Sequence, residues 1–144
     1  MKIVNTFGLT YLGSGHDGHP SFDLMVDGHS YLDTITEFEK PFAGKIAGTY
    51  QPGLNINRLD SADSTIPYFC TCGEPTCWFL TVEIYSQKDV DAEYVIWHRW
   101  VNPYREDKSK AAIGDYWDYS GLAPLIFEKQ QYLREIEKNR IAYG

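Results

Sequence analysis

Apolar and polar positions alternate along much of the chain and mark out its elements. Residues 2–12 are rich in β-branched and aromatic types and read as a strand. A glycine-rich loop from Gly13 to Pro20 follows. Phe22, Leu24 and Val26 then alternate with Asp23 and Met25, giving a second strand. Asp27-Gly28 is a two-residue hairpin signal, with His29 to Leu32 as the return strand. Asp33 to Phe42 predicts one or two helical turns, with Ile35 and Phe38 facing in and Pro41 ending them. Residues 44–67 are rich in Gly, Asn, Asp and Ser and poorly periodic. They read as an irregular excursion with one short helix near Ile56 to Asp60.

Beyond a cysteine-rich turn the pattern sharpens. Trp78 to Ser86 alternates Val82 and Ile84 against Thr81, Glu83 and Tyr85, as a strand does. After a polar turn from Gln87 to Ala92, Glu93 to Val101 reads as its hairpin partner. Strict alternation there sets Val95, Trp97, Arg99 and Val101 on one face, and Tyr94, Ile96, His98 and Trp100 on the other. Large apolar groups on both faces point to a strand that is central in its sheet or covered on both sides. Asn102 to Gly114 is a charged loop, and Tyr116, Trp117 and Tyr119 form an aromatic cluster. Phe127 to Tyr143 is a helix with Tyr132, Leu133 and Ile136 as its inner stripe. The whole predicts a single α+β domain over residues 1–144: an antiparallel sheet of about five or six strands with a C-terminal helix packed on it.

Composition narrows the function. A chain of 144 residues with 43% hydrophobic and 15% aromatic content buries a real core. No apolar run reaches the roughly 20 residues of a membrane helix, and residues 1–6 do not form a signal peptide. A cytoplasmic site with reduced thiols and no membrane contact is therefore expected. A net charge of -7 argues against nucleic acid and suits a basic protein partner. Nothing in the pattern reports the oligomeric state.

Three groups of residues carry candidate chemistry. The three cysteines fall in Cys70-Thr-Cys72-Gly-Glu-Pro-Thr-Cys77, where Gly73 and Pro75 force a tight turn. They could ligate zinc, with His98, His16, His19, His29 or a carboxylate as fourth ligand. Cys70 and Cys72 could instead form a redox pair, or the segment could be only a compact turn. A structural zinc site ordinarily has a second, separate ligand pair, and this chain has none. Half-buried thiols without metal or other cofactor are the expectation. His16-x-x-His19 with Asp17 lies in the glycine-rich loop and reads as an exposed loop. Trp97, His98, Arg99 and Trp100, with Trp117 and Asp118 downstream, could line an aromatic pocket for a small ligand or a peptide. His98 and Asp118 there are a conceivable acid–base pair.

The order of these motifs resembles a family of small uncharacterised bacterial proteins. Its members share a Cys-x-Cys-Gly-Glu-x-x-Cys-Trp turn, a strand, a second strand bearing Trp, then Trp-Asp-Tyr, then Phe-x-x-x-Gln-Tyr opening a final helix. The corresponding segments here are Cys70 to Trp78, Val95 to Trp100, Trp117-Asp118-Tyr119, and Phe127 with Gln131-Tyr132. The resemblance implies a single cytoplasmic α+β domain and no established activity. No nucleophile elbow or phosphate loop is present. The primary expectation is a non-enzymatic protein-binding domain, immunity-like or regulatory. The alternative is a small-molecule binder or enzyme using the aromatic pocket, with a Cys-ligated metal as an option.

Overall fold

The computed structural model describes residues 4–15, 18–57, 59–61, 63–70 and 78–144. Strands β1 (Phe7–Ser14), β2 (Pro20–Val26) and β3 (His29–Ser30) form a three-stranded antiparallel sheet. Asp27 and Gly28 both have positive φ, 53° and 84°, as a type I′ hairpin turn requires. Helix α1 (Tyr31–Ala43) follows. Strands β4 (Tyr50–Pro52), β5 (Ser64–Cys70), β6 (Phe79–Lys88), β7 (Glu93–Val101) and β8 (Leu125–Glu128) form a second antiparallel sheet in that order. Helix α2 (Lys129–Tyr143) closes the chain. The α+β architecture with an antiparallel sheet and a C-terminal helix is as the sequence predicts.

The core lies between the inner face of the large sheet and the small sheet with α2. Phe7 of β1 meets Tyr132 of α2 at 4.4 Å between ring centroids, Phe127 of β8 at 5.1 Å and Trp97 of β7 at 5.9 Å. Leu80, Val82 and Ile84 of β6 extend this layer. Burying aromatic side chains of this size is the main driving term for the fold.

Several sequence expectations need correction. The return strand after Asp27-Gly28 is only His29–Ser30, because Tyr31 and Leu32 already belong to α1. Helix α1 runs through Pro41 to Ala43. Pro41 sits in the last turn, where it removes one backbone bond while Tyr31 and Ile35 anchor the helix to the core. Residues 44–67 hold β4 and the start of β5; near Ile56 to Asp60 the described residues form no helix but a turn, with Leu59 N–H donating to Ile56 O at 3.3 Å. Pro67 falls where the β5–β6 register shifts, so its missing N–H breaks no ladder bond. The charged loop after β7 contains two 3-10 turns, Pro103–Arg105 and Lys108–Ile113. In α2, Leu133 faces outward, while Tyr132, Ile136 and Asn139 face in; Phe127 belongs to β8.

Candidate functional site

The predicted pocket residues lie around the far end of β7. There the β6–β7 register shifts between Thr81 and Glu83, and Arg99 takes a left-handed conformation with φ 56°. This bulge breaks the strict alternation. Trp97 and Trp100, expected on opposite faces, share the core face with ring centroids 6.4 Å apart. His98 stays on the outer face, its ring edge-on to Tyr85 at 4.7 Å. The Arg99 side chain is exposed and pairs with Glu83 at 3.0 Å.

Against this end packs the segment 116–120. Trp117 is 3% exposed and meets Trp78 edge-on at 5.4 Å. The Arg105 guanidinium lies 5.2 Å from the centre of each of these two indoles. Trp117 N–H donates to Arg105 O at 2.8 Å. Tyr119 stacks on Phe38 of α1 at 5.7 Å. Both aromatics are buried, Tyr119 against Phe38 of α1 and Trp117 against Trp78, the residue before β6.

A cleft of about 490 Å³ remains between the bulge and this segment. It is lined by His98, Arg99, Trp100, Trp117 and Asp118, with Glu106, Lys108 and Tyr119. Five of the six residues picked from the sequence therefore meet at one cleft. Trp97 does not: it is fully buried beneath, packed on Phe7, Phe127 and Tyr132. Asp118 Oδ1 accepts from Ser120 N–H at 2.9 Å, and this bond, with one from the Ser120 hydroxyl, holds its carboxyl below the usual range. No hydrogen bond joins His98 to Asp118 among the described residues, so the conceived acid–base pair is not assembled. The rim carries Arg99 and Lys108 against Glu106 and Asp118, a balanced set of charges.

Beneath the cleft is a buried polar cluster that the sequence reading missed. Glu39 of α1 is fully buried. Its carboxylate accepts from the Tyr50 hydroxyl at 2.6 Å, from the Tyr119 hydroxyl, and from Gly48 N–H at 2.9 Å. Asn102 Nδ2 donates to the Tyr50 hydroxyl at 3.1 Å, and its Oδ1 accepts from Tyr104 N–H at 3.0 Å. Every polar group in this knot has a partner, which offsets the cost of burying an acid. Burial first, then the Glu39 carboxylate, raises the Tyr50 phenol well above its usual value. Burial, Tyr50 and Glu39 do the same to Tyr119. The available signal was Glu39 four residues after Ile35, an acid on the apolar face of α1.

The cysteine segment is described only at its ends. Cys70 closes β5, half-buried, with its N–H donating to Trp78 O at 2.9 Å; Cys72 and Cys77 lie outside the described residues. His16 and Asp17 lie outside them too, and His19 is exposed before β2. Among the described residues no helix is long and apolar enough to cross a membrane. No protein-family model, curated protein or solved structure matches the chain.

Proposed function

We propose that the protein is a non-enzymatic cytoplasmic binding domain that engages a protein partner through the cleft between the β7 bulge and residues 116–120. One observation carries this reading: five sequence-selected residues, His98, Arg99, Trp100, Trp117 and Asp118, converge on a cleft with aromatic walls and charged rims. Trp117 is pinned by Arg105 and Trp78, so the wall is rigid before any partner arrives. Charges of both signs on the rim suit a polypeptide segment better than a simple ion. The overall charge of -7 would steer a basic partner toward the surface. The motif resemblance to small bacterial proteins agrees with such a domain and adds no activity.

The second reading, a small-molecule binder or enzyme, draws on the cleft volume, which falls in the ligand-sized range. Immobilised protein passed through a lysate of its native host should retain a partner that an Arg99→Glu, Asp118→Arg variant does not. Retention should weaken from low to high salt. Turnover of a small substrate, abolished by His98→Ala with the fold intact, would replace the binding reading with the enzymatic one.

A further inference from the structure

A second concavity, larger than the cleft, opens on the other side of residues 122–124. It has a volume of about 730 Å³, and the hairpin turn after β2, the first turn of α1, residues 122–126 and Asn5 enclose it. Its walls are mainly apolar: Val26, Tyr31, Leu122, Ala123, Leu125 and Ile126. The Tyr31 ring is 4% exposed and rests 5.2 Å from Trp100, which gives the groove a firm aromatic wall.

The polar groups of the groove divide into two kinds. Asp27 and Asn5 are spent on the protein itself. Asp27 Oδ1 accepts from Thr6 N–H at 2.7 Å and Oδ2 from Asn5 Nδ2 at 3.0 Å, while Asn5 Oδ1 accepts from Ile126 N–H at 3.1 Å. His29 and Thr34 are exposed, and their side chains have no hydrogen-bond partner among the described residues. Among the described residues no lysine or arginine lines the groove, so an anion finds no fixed countercharge there. The only carboxylate among the described lining residues, Asp27, already accepts a hydrogen bond on each oxygen, so a cation gains little. What is offered is apolar surface with a ring N–H and a hydroxyl free to donate.

We propose that this groove is a second binding site, for an uncharged, largely apolar small molecule carrying a hydrogen-bond acceptor such as a ketone or lactone oxygen. The volume lies within the range of pockets that enclose such ligands, and the apolar walls supply the driving term while His29 and Thr34 fix orientation. The groove adjoins the cleft along Leu122 and Pro124, and its proposal does not rest on the partner-binding reading.

The test uses the intact protein and two fluorescent probes: prodan, a neutral ketone, and the anionic anilinonaphthalene sulfonate. Prodan should bind saturably with blue-shifted emission, at least about tenfold more tightly than the anionic probe. Ala123→Trp, at an exposed wall position, should weaken prodan at least about tenfold with unchanged circular dichroism, and Thr34→Trp provides the same block from α1 if the first variant fails to fold. His29→Ala should weaken it by a smaller factor, and Arg99→Ala in the cleft should leave it unchanged. Non-saturable binding, equal affinity for the anionic probe, or full binding by a folded variant with the groove blocked would each overturn the proposal.

Discussion

Glu39 holds three parts of the chain at one point: Gly48 after α1, Tyr50 on β4 and Tyr119 beside the cleft. Residues of this kind decide whether the cleft wall is fixed. Trp117 is the other anchor of that wall. Trp117→Ala should cost about 3–5 kcal/mol and lower the melting temperature accordingly; an unchanged melting temperature would make it a surface anchor instead. Burial is the first cause raising the phenols of Tyr31, Tyr50, Tyr68, Tyr119 and Tyr132 above the usual 10.0. In the unfolded chain they lose their protons near pH 10, while in the folded chain they keep them. The unfolded state then binds fewer protons, so stability is complete below pH 10 and falls as pH rises above it. The slope is about 1.4 kcal/mol per pH unit for each such tyrosine. Urea midpoints measured from pH 9 upward should show this fall, and Tyr119→Phe should reduce it by one tyrosine's share. The aromatic residues of the cleft were legible because large side chains cluster visibly in the sequence. The Glu39 knot was not, since its members are up to 80 residues apart and each is ordinary alone.

The β7 bulge is the element that builds the cleft, and its geometry sets a mutational contrast. Arg99 adopts a left-handed backbone that glycine accepts freely and β-branched residues do not. Arg99→Gly should change stability by no more than about 1 kcal/mol, since the exposed pair with Glu83 contributes little. Arg99→Val should cost about 2 kcal/mol or more. Denaturant unfolding of the two variants compares them directly, and equal costs would remove the bulge from the argument. A second element contact ties β1 to α2: the Gln131 amide accepts from Phe7 N–H at 2.9 Å and donates to Phe7 O at 2.7 Å. Gln131→Leu should cost about 1–3 kcal/mol and speed hydrogen exchange at the Phe7 amide; unaltered exchange there would show the clamp to be dispensable. Strands β6 and β7 and helix α2 were readable because each is long and periodic. Strand β4 was hidden by its three-residue length and Pro52, and β5 by Pro67; both prolines locally contradict a strand. The bulge itself has no sequence signal, because Arg99 is not the glycine that such a conformation favours.

At the scale of the molecule, the two concavities meet along Leu122 and Pro124, so one short rib separates a polar, aromatic cleft from an apolar groove. The cysteine segment joins β5 to β6 at the Cys70–Trp78 hydrogen bond. The sequence argues against zinc there, since no second ligand pair exists. Elemental analysis of protein purified without chelator should therefore find less than one equivalent of zinc per chain; a full equivalent, lost on Cys→Ser substitution at 70, 72 and 77, would prove otherwise. The single-domain α+β outline was legible as a whole because the hairpins are local, whereas the pairing of Phe7 with Gln131, Tyr132 and Phe127 spans the chain and leaves no local trace.

That last pairing has a consequence for biosynthesis. As the chain leaves the ribosome, the β6–β7 and β1–β2 hairpins can each close on their own, but the N–H and C=O of Phe7 must wait until residue 131 has emerged before they find the Gln131 amide. Until then Trp97 and Phe7 lack the Tyr132 ring that covers them. Nascent chains stalled before α2 should be open to protease and to chaperones, and full protection should arrive in one late step rather than strand by strand.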